Sequence, residues 1–195
     1  IIGLSYTTND GNPLTPTTTK NFGATFIENK FDEATSKGVL IFDQQVTKIP
    51  VSAFENCTNL SWIDIPMGIT TIGNYAFRGC SGMENIFIPN SIISIGAKSF
   101  EDCAGKATID CNLEYKGYYT GYQAYLNTFE DAKFTEIIIG NNVDIISERS
   151  FNDCKDLHKV YIPGNVKIIS TAAFGECSKL TNVELCEGII EIGGS

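Results

Sequence analysis

Three residue types could carry chemistry in this chain of 195 residues: one histidine, His158, seven cysteines, and 23 aspartates and glutamates. Imidazole is the commonest general acid–base and metal-binding group, so a single copy confines such chemistry to the surroundings of His158. A Cys–His nucleophile would need Cys154 beside His158 in an electropositive pocket, yet the chain carries 14 basic against 23 acidic residues, a net charge of −9. Glycoside hydrolysis would need two carboxyls roughly 5–9.5 Å apart across a cleft. Asp64, Asp110 and Glu184 recur at related positions, but that recurrence only sets a spacing along the stack. A zinc site needs ligands that converge on a point, and the cysteines are instead spread at a regular interval. The expectation is a non-enzyme, with no catalytic, cofactor-binding or metal-binding residue.

That interval is the main organising feature of the sequence. Phe54, Phe77, Phe100, Phe129, Phe151 and Phe174 follow one another at steps of 23, 23, 29, 22 and 23 residues. Three residues after each comes Cys57, Cys80, Cys103, Ala132, Cys154 and Cys177. Before most of them stands an alternating apolar segment ending in proline or glycine, as in Trp62-Ile63-Asp64-Ile65-Pro66 and Lys159-Val160-Tyr161-Ile162-Pro163. Alternation at period two marks a short strand. Seven such strands are expected, the first around Leu40 and Phe42, the fourth around Ile109 and Cys111, and the last around Val183 and Leu185. Apolar pairs three apart, such as Ile69/Ile72 and Val166/Ile169, then lead into the Ala-Phe turn. Each unit buries several side chains but cannot close a core alone, which is the signature of a stacked repeat.

The period fits the leucine-rich repeat range of ~20–29 residues. The expected fold is an α/β-type repeat solenoid, with a parallel sheet on one face and short helical or irregular turns opposite. A polar, turn-rich segment, 1–38, reads as a β-rich N-terminal cap, and 39–195 as the solenoid. Within the cap, Asn9-Asp10-Gly11 reads as a hairpin turn. The frame predicts a seventh Ala-Phe just past Ser195, so the last repeat is incomplete and the natural chain is expected to continue. Five column cysteines stack along the axis with parallel side chains, which suits a buried reduced ladder better than disulfides. Cys111 should be buried too, and Cys186, in the slot of Pro66, Pro89 and Pro163, should be exposed.

In each strand the neighbours of the inward isoleucines point outward. One outward column then reads Ile41, Asp64, Phe87, Asp110, Ile138, Tyr161 and Glu184, and the other includes Trp62, Glu136 and Lys159. Trp62, Phe87, Ile138 and Tyr161 are larger and more apolar than a solvated strand face requires, and aromatic anchors typify interface hot spots. The long step between Phe100 and Phe129 holds a tyrosine-rich insertion at about 112–128, with Tyr115, Tyr118, Tyr119, Tyr122 and Tyr125. Insertions in solenoids map to loops, often on the binding face, and tyrosine supplies contact area with a polar tip. The other reading is that these rings pack over their own rungs. The acidic balance argues against a nucleic-acid partner, and no window is apolar enough for a spanning helix.

The combined form, Leu-x-x-Ile-x-Ile-Pro, then Ile/Val-x-x-Ile-Gly, then Ala-Phe-x-x-Cys, resembles the BspA-like leucine-rich-repeat family of bacterial and protist surface proteins. Leu60 to Cys80 and Met83 to Cys103 carry it almost unbroken, and Leu157 to Cys177 carries it with Lys167-Ile168-Ile169-Ser170 replacing the usual Ile-Gly. The resemblance implies an extracellular or cell-surface, non-catalytic module that attaches to proteins or cells. Two alternatives stay open: glycan binding through Trp62, Tyr161 and the tyrosine insertion, and a structural spacer within a longer surface protein.

Overall fold

A coil of about 23 residues hides its isoleucines only by stacking on copies of itself, and the computed structural model shows that stack over residues 2–112 and 128–194. The five tyrosines of the insertion lie outside the described residues. The strands, numbered in chain order, begin with β1 (Gly3–Thr8), β2 (Phe26–Asp32) and β3 (Lys37–Phe42). The coils then alternate a short strand with a longer one: β4 (Lys48–Ile49), β5 (Leu60–Ile63), β6 (Thr71–Ile72), β7 (Asn85–Ile88), β8 (Ser94–Ile95) and β9 (Lys106–Ile109). They continue as β10 (Glu136–Ile139), β11 (Ile145–Ile146), β12 (Lys159–Ile162), β13 (Ile168–Ile169), β14 (Asn182–Leu185) and β15 (Glu191–Ile192). The longer strands form a parallel sheet in the order β14-β12-β10-β9-β7, and the short ones form two parallel ribbons, β4-β6-β8 and β11-β13-β15.

The solenoid is therefore a β-solenoid of six coils. The helical turns expected opposite the sheet are not formed, and the described residues contain no helix. Backbone geometry explains this. Among the described residues, those two before and two after the core phenylalanines take left-handed φ: Ser52 and Asn56 around Phe54, Lys98 and Asp102 around Phe100, Ala172 and Glu176 around Phe174. Such residues interrupt a right-handed helix after one turn. What remains is a chain of single turns, as in Ala53 N to Pro50 O and Cys57 N to Phe54 O.

Inside, the phenylalanines form one continuous ladder. Phe54, Phe77, Phe100, Phe129, Phe151 and Phe174 stack with ring centroids 5.3, 5.3, 5.1, 5.1 and 5.2 Å apart. The cysteine column runs beside it. Cys80 Sγ donates to the carbonyl of Phe54 at 3.0 Å, Cys103 to Phe77 at 2.9 Å, Cys154 to Phe129 at 3.2 Å and Cys177 to Phe151 at 3.1 Å. Each thiol thus closes a bond to the preceding coil. All seven cysteines are free thiols, five of them buried, with Cys177 intermediate and Cys186 exposed.

The cap departs from the expected topology. The segment foreseen as the first parallel rung is β3, and it pairs antiparallel with both β1 and β2. β1 then pairs antiparallel with β5, so the sheet runs β2-β3-β1-β5 and the cap inserts a strand between β3 and the first coil. No hairpin forms at Asn9-Asp10-Gly11, because the neighbours of β1 are β3 and β5. Asp10 instead accepts from Asn12 N at 3.0 Å and from Asn59 Nδ2 at 3.1 Å. Phe22 closes the aromatic ladder edge-on against Phe54, 6.1 Å away, and Thr15 O receives the Cys57 thiol at 3.4 Å. The cap so presents the ring and the carbonyl that a preceding coil would have offered.

The fourth coil is irregular. Ala107 lies opposite Ile86 and Ile137, and Ile109 opposite Ile88 and Ile139. The strand therefore starts two residues earlier than a constant period gives, and Cys111 is buried beyond it. Gly105 makes the shortcut possible: its φ is +83°, and a β-carbon there would run into the carbonyls of Glu84 and Met83. Phe134 of the next coil packs beside this irregular rung, 6.2 Å from both Phe100 and Phe129.

Two outcomes follow for stability and thiol chemistry. Gly105→Ala adds a side chain at a left-handed, crowded position, and urea unfolding should show a loss of about 1–3 kcal/mol; an unchanged midpoint would mean that the shortcut is relaxed. Burial pushes the Cys57 and Cys111 thiols up to about 12. A chromogenic disulfide reagent should titrate Cys186 at once and Cys177 more slowly, with the five buried thiols reacting only on unfolding; reaction of a third thiol in the folded chain would contradict this.

Candidate functional site

The parallel sheet fixes which side chains share its outer face. Register places Asn85, Lys106, Glu136, Lys159 and Asn182 in one row across five rungs, and Phe87, Thr108, Ile138, Tyr161 and Glu184 in the next. Rungs lie about 4.8 Å apart, so neighbouring side chains in a row touch a ligand together or not at all.

The second row is the more apolar. Phe87 is 46% exposed although its neighbours Ile86 and Ile88 are buried, and Ile138 and Tyr161 are half-buried. Asp110 was expected in this row and does not stand there. The two-residue shortcut at Gly105 gives its slot to Thr108, and Asp110 falls past the end of β9, where its carboxylate accepts from Asn142 N at 3.1 Å and Asn142 Nδ2 at 2.8 Å. Trp62, expected in the first row, and Asp64, expected in the second, stand on β5 and just beyond it, where the coils meet the cap. Trp62 lies opposite Thr7 of β1, and Asp64 N donates to Ser5 O at 2.8 Å, so both belong to the junction with the cap.

The charged residues of the first row form a ladder with Glu184 of the second. Lys106 Nζ stands 2.6 Å from Glu136 Oε2, Lys159 Nζ 3.9 Å from Glu136 Oε1 and 2.7 Å from Glu184 Oε1. The Lys106 bond, reinforced by the Lys159 charge, holds the Glu136 carboxyl below its ordinary range. Exposed pairs of this kind are largely screened by solvent and contribute little to stability, so their effect is on charge pattern. Two lysines and two glutamates cancel, which leaves a locally neutral patch in a chain of net charge −9. Lys106 was missed in the sequence because the strand was placed two residues late; the short interval from Cys103 to Ala107, four residues where Cys80 to Ile86 takes six, was the available signal.

The groups considered for catalysis are not assembled. His158 is exposed on the approach to β12, whereas Cys154 is buried with its thiol on the Phe129 carbonyl and held well above the usual thiol range by its bond with Cys177 and by burial. A thiolate is strongly disfavoured there.

The arrangement has relatives among solved structures. A leucine-rich repeat protein from Eubacterium ventriosum superimposes with a TM-score of 0.57 at 23% identity, covering 77% of this chain and 42% of that one. The leucine rich repeat protein of T. pallidum gives a TM-score of 0.54 at 20% identity, covering 86% of this chain and 83% of that one. The chain thus spans less than half the length of the Eubacterium protein, and at these identities both similarities concern the fold. No curated protein matches the chain. Six copies of the BspA type leucine rich repeat region match residues 25–127 and 123–195, nearly the whole solenoid and two strands of the cap, and the chain belongs to that family.

Proposed function

We propose that this chain is a non-catalytic, extracellular or cell-surface binding module that attaches to a protein partner through the outer face of its parallel sheet. The observation that carries the reading is the row Phe87, Thr108, Ile138, Tyr161, set beside the neutralised Lys106–Glu136–Lys159–Glu184 ladder. Large apolar side chains at fixed rung spacing can bury area against a partner at little entropic cost, because the strands already hold them in place. The paired charges offer hydrogen bonds at the rim without the repulsion that the chain's net charge would impose on an acidic partner. Location at a cell surface rests on the family resemblance.

The test starts from a panel of immobilised extracellular-matrix proteins and mucins. Once one binds the chain, Phe87→Ala and Tyr161→Ala should each weaken capture by about tenfold or more, the size expected for hot-spot aromatics. Thr70→Ala, on an exposed turn away from the sheet face, should leave capture unchanged. Binding that survives both aromatic substitutions would overturn the face assignment, and a chain that captures nothing on the panel would favour the spacer reading.

A further inference from the structure

A second site lies at the other end of the sheet, where the cap meets the first coil. A cleft of about 450 Å³ opens there, bordered by β1, β2, β3 and Trp62 of β5. Register lays its outer side chains in two adjacent rows, Lys30–Val39–Ser5 and Asp32–Lys37–Thr7–Trp62. From this geometry we infer that the cleft binds an acidic saccharide, a pyranose bearing a carboxylate, with the ring on Trp62 and the carboxylate at Lys37.

Three observations select that class of ligand. First, the volume lies in the range of small-molecule sites, and β1 at its centre is hydrogen-bonded on both sides, to β3 and to β5. The floor of the cleft therefore offers no backbone edge to an added peptide strand, the open edge of the sheet being that of β2 at the border, and recognition on the floor falls to side chains. Second, those side chains pair a flat aromatic and an aliphatic surface, Trp62 and Val39, with the hydroxyls of Ser5 and Thr7. A pyranose has the complementary form, an apolar C–H face with hydroxyls around its edge, and an indole is the largest ring face available to meet it.

Third, the lining of the cleft carries two lysines, Lys30 and Lys37, against one aspartate, Asp32. Asp32 already accepts from Ala34 N at 3.0 Å and from Thr35 Oγ1 at 2.8 Å, which caps the turn between β2 and β3. Lys30 is tied to Glu28 at 3.1 Å. Lys37 has no ion pair among the described residues, and it stands one strand away from Trp62 in the same row, with Thr7 between them. A carboxylate on the sugar completes that pairing. This site is separate from the Phe87–Tyr161 row, and it is independent of whether that row binds protein.

Trp62 is the only tryptophan, so its emission reports on the cleft alone. The whole chain is titrated with the disaccharide of glucuronic acid linked to N-acetylglucosamine, and in parallel with the methyl ester of the same disaccharide, which lacks the charge. The acid should give a saturable change in emission, with the ester about fivefold weaker or worse, the size of one exposed charge-assisted contact. Lys37→Gln should bring the acid to the affinity of the ester, Trp62→Phe should weaken both when binding is followed by calorimetry, and Phe87→Ala should alter neither. Equal binding of acid and ester, an acid affinity untouched by Lys37→Gln, or no response of Trp62 to either sugar up to tens of millimolar would each overturn the inference.

Discussion

Stacking of one phenylalanine per coil is the contact on which the rest of this structure depends. Ring centroids 5.1–5.3 Å apart lie close to the ~4.8 Å rise of a parallel sheet, so ring and strand repeat in step and neither has to tilt away from the other. The left-handed residues flanking the rings turn the chain inward and back within one short turn among the described residues. The thiol three residues later then bonds to the carbonyl of the preceding phenylalanine. Ring, backbone and thiol therefore report the same displacement between coils, and a coil that lost one would be opposed by the other two.

This redundancy explains how the stack absorbs its irregular coil. Between Phe100 and Phe129 the chain shortens one segment at Gly105 and lengthens another, yet the two rings remain stacked 5.1 Å apart. Phe134 packs 6.2 Å from both rings, and Ala132, which lacks the thiol, leaves the ring stack unbroken. The core tolerates the change of sequence because rings and strands keep their register across it. The outer face has no such correction. A two-residue shift that the core conceals moves Thr108 into the place of an aspartate, and it alters the charge of a binding row.

The same contrast separates what was legible in the sequence from what was not. The phenylalanine and cysteine columns, the paired apolar positions and the buried thiols could all be read, because core positions repeat and every copy supports the others. The outer rows had to be counted from the core, so one unnoticed shortcut misplaced Asp110 and hid Lys106. Helical or irregular turns were expected from the leucine-rich-repeat frame, and the residues two before the rings, such as Tyr75, Lys98 and Arg149, are ordinary types that give no local signature of their left-handed backbone. Asn56, Asp102, Asp131 and Asp153, at the matching position after the ring, were a readable hint, since Asn and Asp tolerate that conformation best. The cap was hardest to foresee. Its strands do not repeat, and the insertion of β1 between β3 and β5 pairs residues more than fifty positions apart.

That insertion gives the cap a role beyond covering the first coil. A parallel rung placed before β5 would have continued the outer rows with the same spacing and the same side-chain direction. An antiparallel β1 breaks the rows, because its residues meet β5 from the opposite direction and with a register shift between Thr7 and Thr8. Trp62, which the period assigns to the row of Asn85 and Glu136, thereby acquires Thr7 as its cross-strand neighbour, with Lys37 one strand further on. The chain so presents two surfaces of different kinds. One is repetitive and shallow, suited to a partner met at several rungs. The other is a single concave site built from non-repeating strands, where one aromatic side chain and one unpaired cation can be held at a fixed distance. A solenoid made only of its own repeat has no means of making the second.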